Sequence, residues 1–596
     1  MAFYLSPQVA IQEVDLTTTI PAVATSIGVI VLRNTYKGPE MTKEPITSVD
    51  NLVAKFGYSR KRVYDQDGNV SKTADCYEDI NNAFGYLKYG SNLYCTRVMP
   101  PSATFAGVKL EDDGTYVQFD PGLTLNTETI TGDISEPDEF HLEADTMLAD
   151  AGDDLWMIAM SRGNWGNNIR TAIIDKTTQS QILSGGTGSW DDIIEQTVSS
   201  IDSPLQTDQD FLLIVQSKEQ GSKIWETVEV HNVSLDEEST DDQGRSNFVE
   251  TVVNEGSDYV RIIVSEDYKN GDVPEDWVTD SFQDFSGGAD NGGDEVEDAQ
   301  IIEAYNLYSN PEEIDVNIFI DSNKSETVKR RLVELSEVIR KDSMAIVDVK
   351  YEHVVKNKGN EIQDMVNWRK GLADDANFNQ NSSYVAVYGN WFNVYDKYIK
   401  EYVWVPIAGY MAGLYASTDD QADPWFAPAG LNRAIVTGVR KLAFNPSTVG
   451  DRDLMYKNNI NPIVSFSGYG KVVWGQKNML AKSSAFNRVN VRRLFLTLEK
   501  GISTASKWFL FEPNDRFTRS QIVSMIDPFL ADVKSRRGIY DYRVICDETN
   551  NTPTRIDRNE LWVSIFIKPT RTAEFLVLQF VATRTGASFD EIIGEV

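Results

Sequence analysis

The sequence predicts a multidomain chain of α+β and mixed α/β class carrying an inserted, mostly β region. Three observations lead there: the length, the confinement of excess charge to one block, and a change of hydrophobic period on either side of that block. A chain of 596 residues is too long for one core of ordinary size, and its 41% apolar and 11% aromatic content is enough to fill several. The formal charge is −34, but residues 1–100 carry 10 basic and 10 acidic side chains, residues 101–300 carry 9 against 44, and residues 301–596 carry 37 against 36. The imbalance therefore belongs to the second segment alone.

Taken in order, residues 1–24 form an N-terminal arm. Gln8 to Val14 alternate weakly and run into Thr17, Thr18 and Thr19, closed by Pro21. The spacing from Tyr77 to Tyr89 predicts a helix with Ile80, Ala83, Phe84 and Leu87 on one face and Gly90 as its stop. A second helix is expected from near Ser325, with Val328, Leu332, Leu335, Val338 and Ile339 facing a core, followed by strands Met344 to Val349 and Tyr384 to Tyr388. Residues 25–100 and 301–422 thus make a discontinuous α/β domain. The insertion, 101–300, has turn clusters such as Ser184-Gly185-Gly186-Thr187-Gly188 and β-like runs at Leu155 to Ala159, Phe211 to Gln216, Thr227 to Val233 and Tyr259 to Val264. One or two solvated, mostly β domains are expected there. Residues 423–596 read as an α+β core: apolar Ile463 to Phe466, helices near Asn487 to Glu499 and Thr518 to Lys534, then strands Tyr542 to Cys546, Leu561 to Ile567 and Glu574 to Thr583. A terminal strand must join its own sheet or a neighbour's edge, because its backbone groups need partners.

Several function classes find no support. The start, Met1 to Pro7, shows no basic and apolar leader, and runs such as Ile27 to Leu32 are too short to span a bilayer, so neither export nor membrane insertion is expected. Cys76, Cys95 and Cys546 are odd in number and widely spaced, which indicates neither a disulfide framework nor a zinc site and suits a reducing cytoplasm. His141, His231 and His353 have no second ligand at metal spacing, so no catalytic, cofactor or metal residues are nominated and the chain is not expected to be an enzyme. Ser465 to Val472 ends like a phosphate loop but lacks its first Gly and its hydroxyl. Asp65-Gln66-Asp67-Gly68-Asn69 reads as an ordinary turn because its Gly comes too early for a calcium loop. The acidic run Asp294 to Asp298 reads as a solvated linker.

One charge feature stands apart. Leu454 to Leu498 contains no acidic residue yet holds Lys457, Lys471, Lys477, Lys482, Arg488, Arg492 and Arg493. Such a stretch suits an acidic surface, within the chain or on a partner, and solvation alone is the bland reading. Nucleic acid is disfavoured by the acidity of the whole chain.

The last third resembles the sheath proteins of contractile-tailed bacteriophages. The resemblance rests on Asp423 to Arg433 (DPWFAPAGLNR), Asn461-Pro462-Ile463, Val473 to Lys477 (VWGQK), Arg488 to Phe495 (RVNVRRLF), Tyr540 to Asp547 (YDYRVICD), Thr549 to Pro553 (TNNTP) and Phe575 to Gly586, with weaker echoes in Leu5-Ser6-Pro7 and Asn51 to Gly57. It implies a structural subunit of the virion tail, assembled in the host cytoplasm. Such subunits polymerise as six-fold rings into a helical tube around an inner tail tube, between baseplate and tail terminator, and contract to drive the tube through the host envelope. It further implies that the 101–300 insertion lies on the outside, and that the small C-terminal sheet is completed by neighbouring subunits' arms. Gln8, Val9, Ile11, Val14, Phe575, Val577 and Phe580 are the expected arm residues, and Lys471, Lys477, Lys482, Arg488, Arg492 and Arg493 the expected tube-facing ones. The rival from another class is a receptor- or carbohydrate-binding tail fibre, against which the lack of repeats counts.

Overall fold

Six short apolar runs find enough cover only when both faces of a sheet are packed, and that requirement organises the larger of two units, Ala22–Gly501. The structure, a computed structural model, describes residues 26–59, 76–110, 116–118, 155–186, 190–201, 204–241, 243–265, 268–290, 295–373 and 377–578. The main sheet has nine strands in the order Ile435–Val436, Gly470–Val473, Ile460–Phe466, Val385–Gly389, Met344–Asp348, Ile318–Ile320, Gly28–Arg33, Leu93–Val98, Glu44–Ile46. The six from Ile460–Phe466 to Leu93–Val98 run parallel, and the outer strands are antiparallel.

Alternation along each strand feeds two cores. Ile30, Leu32, Ile318, Ile320, Met344 and Ile346 enter one. Val29, Val31, Phe319, Ala345, Val347 and Val387 enter the other. Helices Cys76–Leu87 and Ala408–Gln421 contribute to the first core and Asp298–Asn306, Glu326–Glu334 and Glu361–Lys370 to the second. The first pair cross without room for side chains, since a Cβ on Gly409 would lie 1.9 Å from the Asn82 carbonyl oxygen and one on Gly413 2.9 Å from that of Tyr86.

The helix expected from Ser325 begins there, with Ser325 Oγ accepting from Val328 N. Its second half departs from expectation. Leu335–Arg340 winds as a π-helix, so Leu335, Ser336 and Arg340 are buried while Val338 and Ile339 are exposed. Arg340 fixes this phase by donating to the carbonyls of Tyr308, Asn310 and Ile314 and pairing with Asp342.

At the carboxyl ends of the central strands, where doubly wound sheets hold ligands, this chain buries its own charges. Asp79 accepts from Arg33 Nε at 2.8 Å and pairs with Lys324 at 3.0 Å, while Lys329 lies 3.6 Å from Asp321. Against the cost of burial, Arg33 and Lys324 hold the Asp79 carboxyl below its usual range. Asp348 Oδ1 accepts from Ile407 N and Ala408 N at the start of Ala408–Gln421, yet burial, and then the charge of Asp321, push its carboxyl well above the usual range.

The insertion leaves and re-enters this body side by side: Thr104 N donates to Ala289 O and Gly107 N to Ser286 O. Its described part holds two separate four-stranded sheets, each antiparallel throughout, with helices Lys176–Leu183, Asp192–Ser199 and Val249–Gly256. It is clamped to the body, because Arg97 Nη2 donates to Arg162 O, and Glu40 pairs with both Arg97 and Arg162. Gln220 and Tyr58 add a second bridge through Tyr58 N to Gln220 Oε1 at 2.9 Å.

The boundary expected at 422/423 does not match the main sheet. Ile460–Phe466 pairs in parallel with Val385–Gly389, and Asn461 Nδ2 donates to Val387 O, so residues well beyond 423 complete the α/β domain. The break between compact units falls instead at Gly501/Ile502. The smaller unit comprises Met1–Pro21 and Ile502–Val596, of which 502–578 are described.

Candidate assembly interface

In the smaller unit, helix Arg516–Ser535 starts at Asp515, whose Oδ1 accepts from Thr518 N at 2.8 Å. It buries Ile522, Met525, Ile526, Leu530 and Val533, and Arg537 (φ +67°) with Gly538 turns the chain into strand Ile539–Ile545. That strand pairs antiparallel with Ser564–Pro569, Tyr542 opposite Ile567 and Val544 opposite Ile565. Tyr542 donates its hydroxyl proton to Asp527 O, fastening sheet to helix. Among the described residues the sheet has only these two strands, so each presents an outer edge of backbone donors and acceptors.

The Thr549-Asn550-Asn551-Thr552-Pro553 motif builds the link between them. Asn551 Nδ2 donates to Trp562 O while its Oδ1 accepts from Trp562 N, and Asn550 Nδ2 donates to Ile545 O. Asp547 Oδ1 accepts from Thr549 N, and Pro553 opens a helical turn. Amide side chains thus do the pairing that backbone would do in a tighter hairpin.

Beyond Pro569 the chain runs through residues 570–578 without helix or strand. The strand expected over Glu574 to Thr583 is therefore not formed in its described part, which joins neither open edge of the two-stranded sheet. Phe575, Leu576, Val577 and Leu578 are consecutive and exposed, Phe575 at 85% and Val577 at 88%. Gln8, Val9, Ile11, Val14 and Phe580 lie outside the described residues, as does the Asp65 to Asn69 turn. A further apolar surface was not anticipated: Trp508, Leu510, Phe511 and Phe517 are exposed where two helices join. Its signal was present in Trp508-Phe509-Leu510-Phe511, an apolar run in a connection that should be polar.

The basic stretch fares unevenly. Lys482 is exposed. Half-buried Lys471 and Lys477 donate from Nζ to the carbonyls of Val439 and Tyr456 at 2.7 and 2.8 Å, and Arg488 donates to Asn487. Arg492 and Arg493 are buried, which corrects the expectation that they face outward. Arg492 lies over the rings of Tyr384 and Phe486, at 4.2 and 4.4 Å, and burial lowers its basicity. Arg493 pairs with Asp419 and lies 4.9 Å from the Tyr415 ring. Their counter-groups come from 74 to 109 residues upstream, so a search for nearby acidic residues could not find them. Among the described residues no group of His, Cys, Asp or Glu is placed to hold a metal ion, and no helix is long and apolar enough to cross a membrane.

Residues 312–479 match the phage tail sheath protein central domain and residues 481–583 the phage tail sheath C-terminal domain. The tail sheath protein of Vibrio phage KVP40 is 39% identical over 386 residues, covering 62% of this chain and 55% of that protein. That of Enterobacteria phage T4 is 39% identical over 320 residues, covering 52% and 48%. The chain thus spans about half the length of the curated relatives it matches. The crystal structure of a sheath tail protein from Listeria innocua shares the fold, with a TM-score of 0.51, 11% identity, and 92% of this chain and 96% of that one covered. Over residues 312–479 and 481–583, therefore, the chain is similar to the central and C-terminal domains of phage tail sheath proteins.

Proposed function

We propose that the chain is the structural subunit of a contractile phage tail sheath, acting in the virion tail after assembly in the host cytoplasm. Copies polymerise in six-fold rings into a helical tube around the inner tail tube, bounded by baseplate and tail terminator. Contraction then drives the inner tube through the host envelope. The observation that carries this reading is the pairing of an open two-stranded sheet with the exposed apolar run Phe575–Leu578 in one small unit. An apolar run of this kind is costly on a monomer and marks a surface that another chain covers. An edge strand supplies the backbone complement. A head-to-tail contact of that sort propagates as a filament wherever its rotation does not close a ring.

A facing role toward the tube is retained for Lys482, with Lys471, Lys477 and Arg488 beside it, each contact being individually weak and reversible at about 0.2–1 kcal/mol. The fibre or adhesin reading is set aside because the matched domains are sheath domains. Electron microscopy and sedimentation of the purified chain test the proposal: striated tubes are expected, and a protein that stays monomeric at high concentration and on added inner tubes overturns it.

A further inference from the structure

A three-stranded antiparallel sheet, Glu401–Val405, Phe392–Asp396 and Val439–Leu442, lies apart from the main sheet in the larger unit. One face, formed by Phe392, Val394, Val403, Val405, Val439 and Leu442, belongs to the core. Of the opposite set, Asn393 is buried and Trp404 packs against the second core, while Tyr395, across from Tyr402, and Lys441, across from Asn393, face outward. Tyr395 and Tyr402 are 54% and 53% exposed, with ring centroids 5.2 Å apart. Arg440 lies 4.2 Å from the Tyr402 ring and Lys441 5.2 Å from that of Trp404. The turn joining two of these strands adds exposed Lys397 and Lys400, with exposed Glu401 beside them. Its exposed tyrosines and Arg440 are residue types that recur at the centres of protein interfaces, and its lysines suit the polar rim.

The matching surface is on the same chain. Residues 101–300 carry 44 acidic side chains against 9 basic. In the described part of the insertion, Glu237, Glu238, Asp272, Glu275 and Asp276 are all exposed. The Glu40–Arg162 and Gln220–Tyr58 bridges tie the insertion to the body that bears the aromatic face.

We propose that the Tyr395/Tyr402/Arg440/Lys441 face docks the acidic insertion of a second copy of this chain, giving the polymer a lateral contact distinct from its arms. The inference rests on the self-assembly proposed above. Charge complementarity selects the second copy, and the contact is heterologous, as a helical lattice requires. Because it is held by charge over aromatic rings rather than by backbone pairing, it separates and re-forms at little cost as subunits slide. Exposed aromatic groups set the register while ionic attraction sets the range.

The test mixes isotopically light and heavy chains, lets them polymerise, and applies a zero-length carbodiimide cross-linker before mass spectrometry. Cross-links between light and heavy chains are expected from Lys397, Lys400 or Lys441 to carboxylates of residues 204–290. The double variant Arg440→Glu with Lys441→Glu is expected to raise the concentration for half-assembly about tenfold and to flatten its salt dependence. Circular dichroism of the monomer controls for folding, and Tyr395→Ser with Tyr402→Ser provides a charge-neutral second variant. Wild-type tubes without these cross-links, or unchanged assembly of both variants, overturn the inference and leave the sheath reading intact. A wild-type chain that never polymerises fails that reading first.

Discussion

Replacing Phe575 and Val577 together by Ser tests the arm directly. The two residues are separated by one position, so an added strand places both on the same face. Full burial of a Phe or a Val is worth about 1.5–3 kcal/mol each. At 85% and 88% exposure almost none of that is realised in a single subunit, so nearly all of it is available to the contact. The double variant should therefore weaken each contact by about 3–5 kcal/mol, a rise of about a hundredfold to several-thousandfold in the half-assembly concentration at 1.4 kcal/mol per decade. The melting curve of the monomer should stay where it is, since neither side chain packs on its own unit. Leu576→Ser with Leu578→Ser, on the other face, should have a smaller effect if the segment docks as a strand. Equal effects would indicate irregular docking. Polymerisation at the wild-type concentration, read by sedimentation, would refute the argument that the run is an interface.

Four further outcomes follow from the described core and surface. Gly409→Ala should destabilise the larger unit by about 2–4 kcal/mol in chemical denaturation, because the new Cβ meets the Asn82 backbone carbonyl rather than a side chain that can move. Glu40 has its carboxyl held below the usual range, against burial, by Arg162 and Arg97; its contribution is present above the ordinary value of 4.5 and lost as pH falls through the folded value. Glu40→Gln should thus cost stability at pH 7 and progressively less below about pH 4. Asp348 has the opposite sign: burial and Asp321 raise it, so the folded state holds its proton longer and stability falls as pH rises through that window. Asp348→Asn should flatten that fall while sparing the acceptor for Ile407 N and Ala408 N, as measured by melts across pH. Phe511 combines a φ of +71° with full exposure; Phe511→Gly should stabilise the monomer by up to about 1 kcal/mol and weaken assembly, whereas unchanged assembly would show that the ring serves no contact.

How far this molecule was legible depended on the range over which each feature is decided. Local patterning sufficed for Met344–Asp348, Val385–Gly389 and Arg516–Ser535, because period and caps lie within a dozen residues. Charge density, also a local quantity, is what sets residues 101–300 apart in the sequence. Local patterning misjudged Val338 and Ile339, whose phase is set by Arg340 reaching carbonyls 26 to 32 residues away, and it misjudged Arg492 and Arg493, neutralised or covered by groups from another segment. The domain border was misplaced for the same reason: nothing near Ile460 announces that its hydrogen-bonding partner is Val385–Gly389. The exposed Phe575–Leu578 run is the converse case. There the sequence pattern asks for a strand, and among the described residues the run joins neither open edge of the Ile539–Ile545 and Ser564–Pro569 sheet. A β pattern left unpaired in the monomer is what an assembling subunit needs, because a strand satisfied within its own fold has nothing left to offer a neighbour.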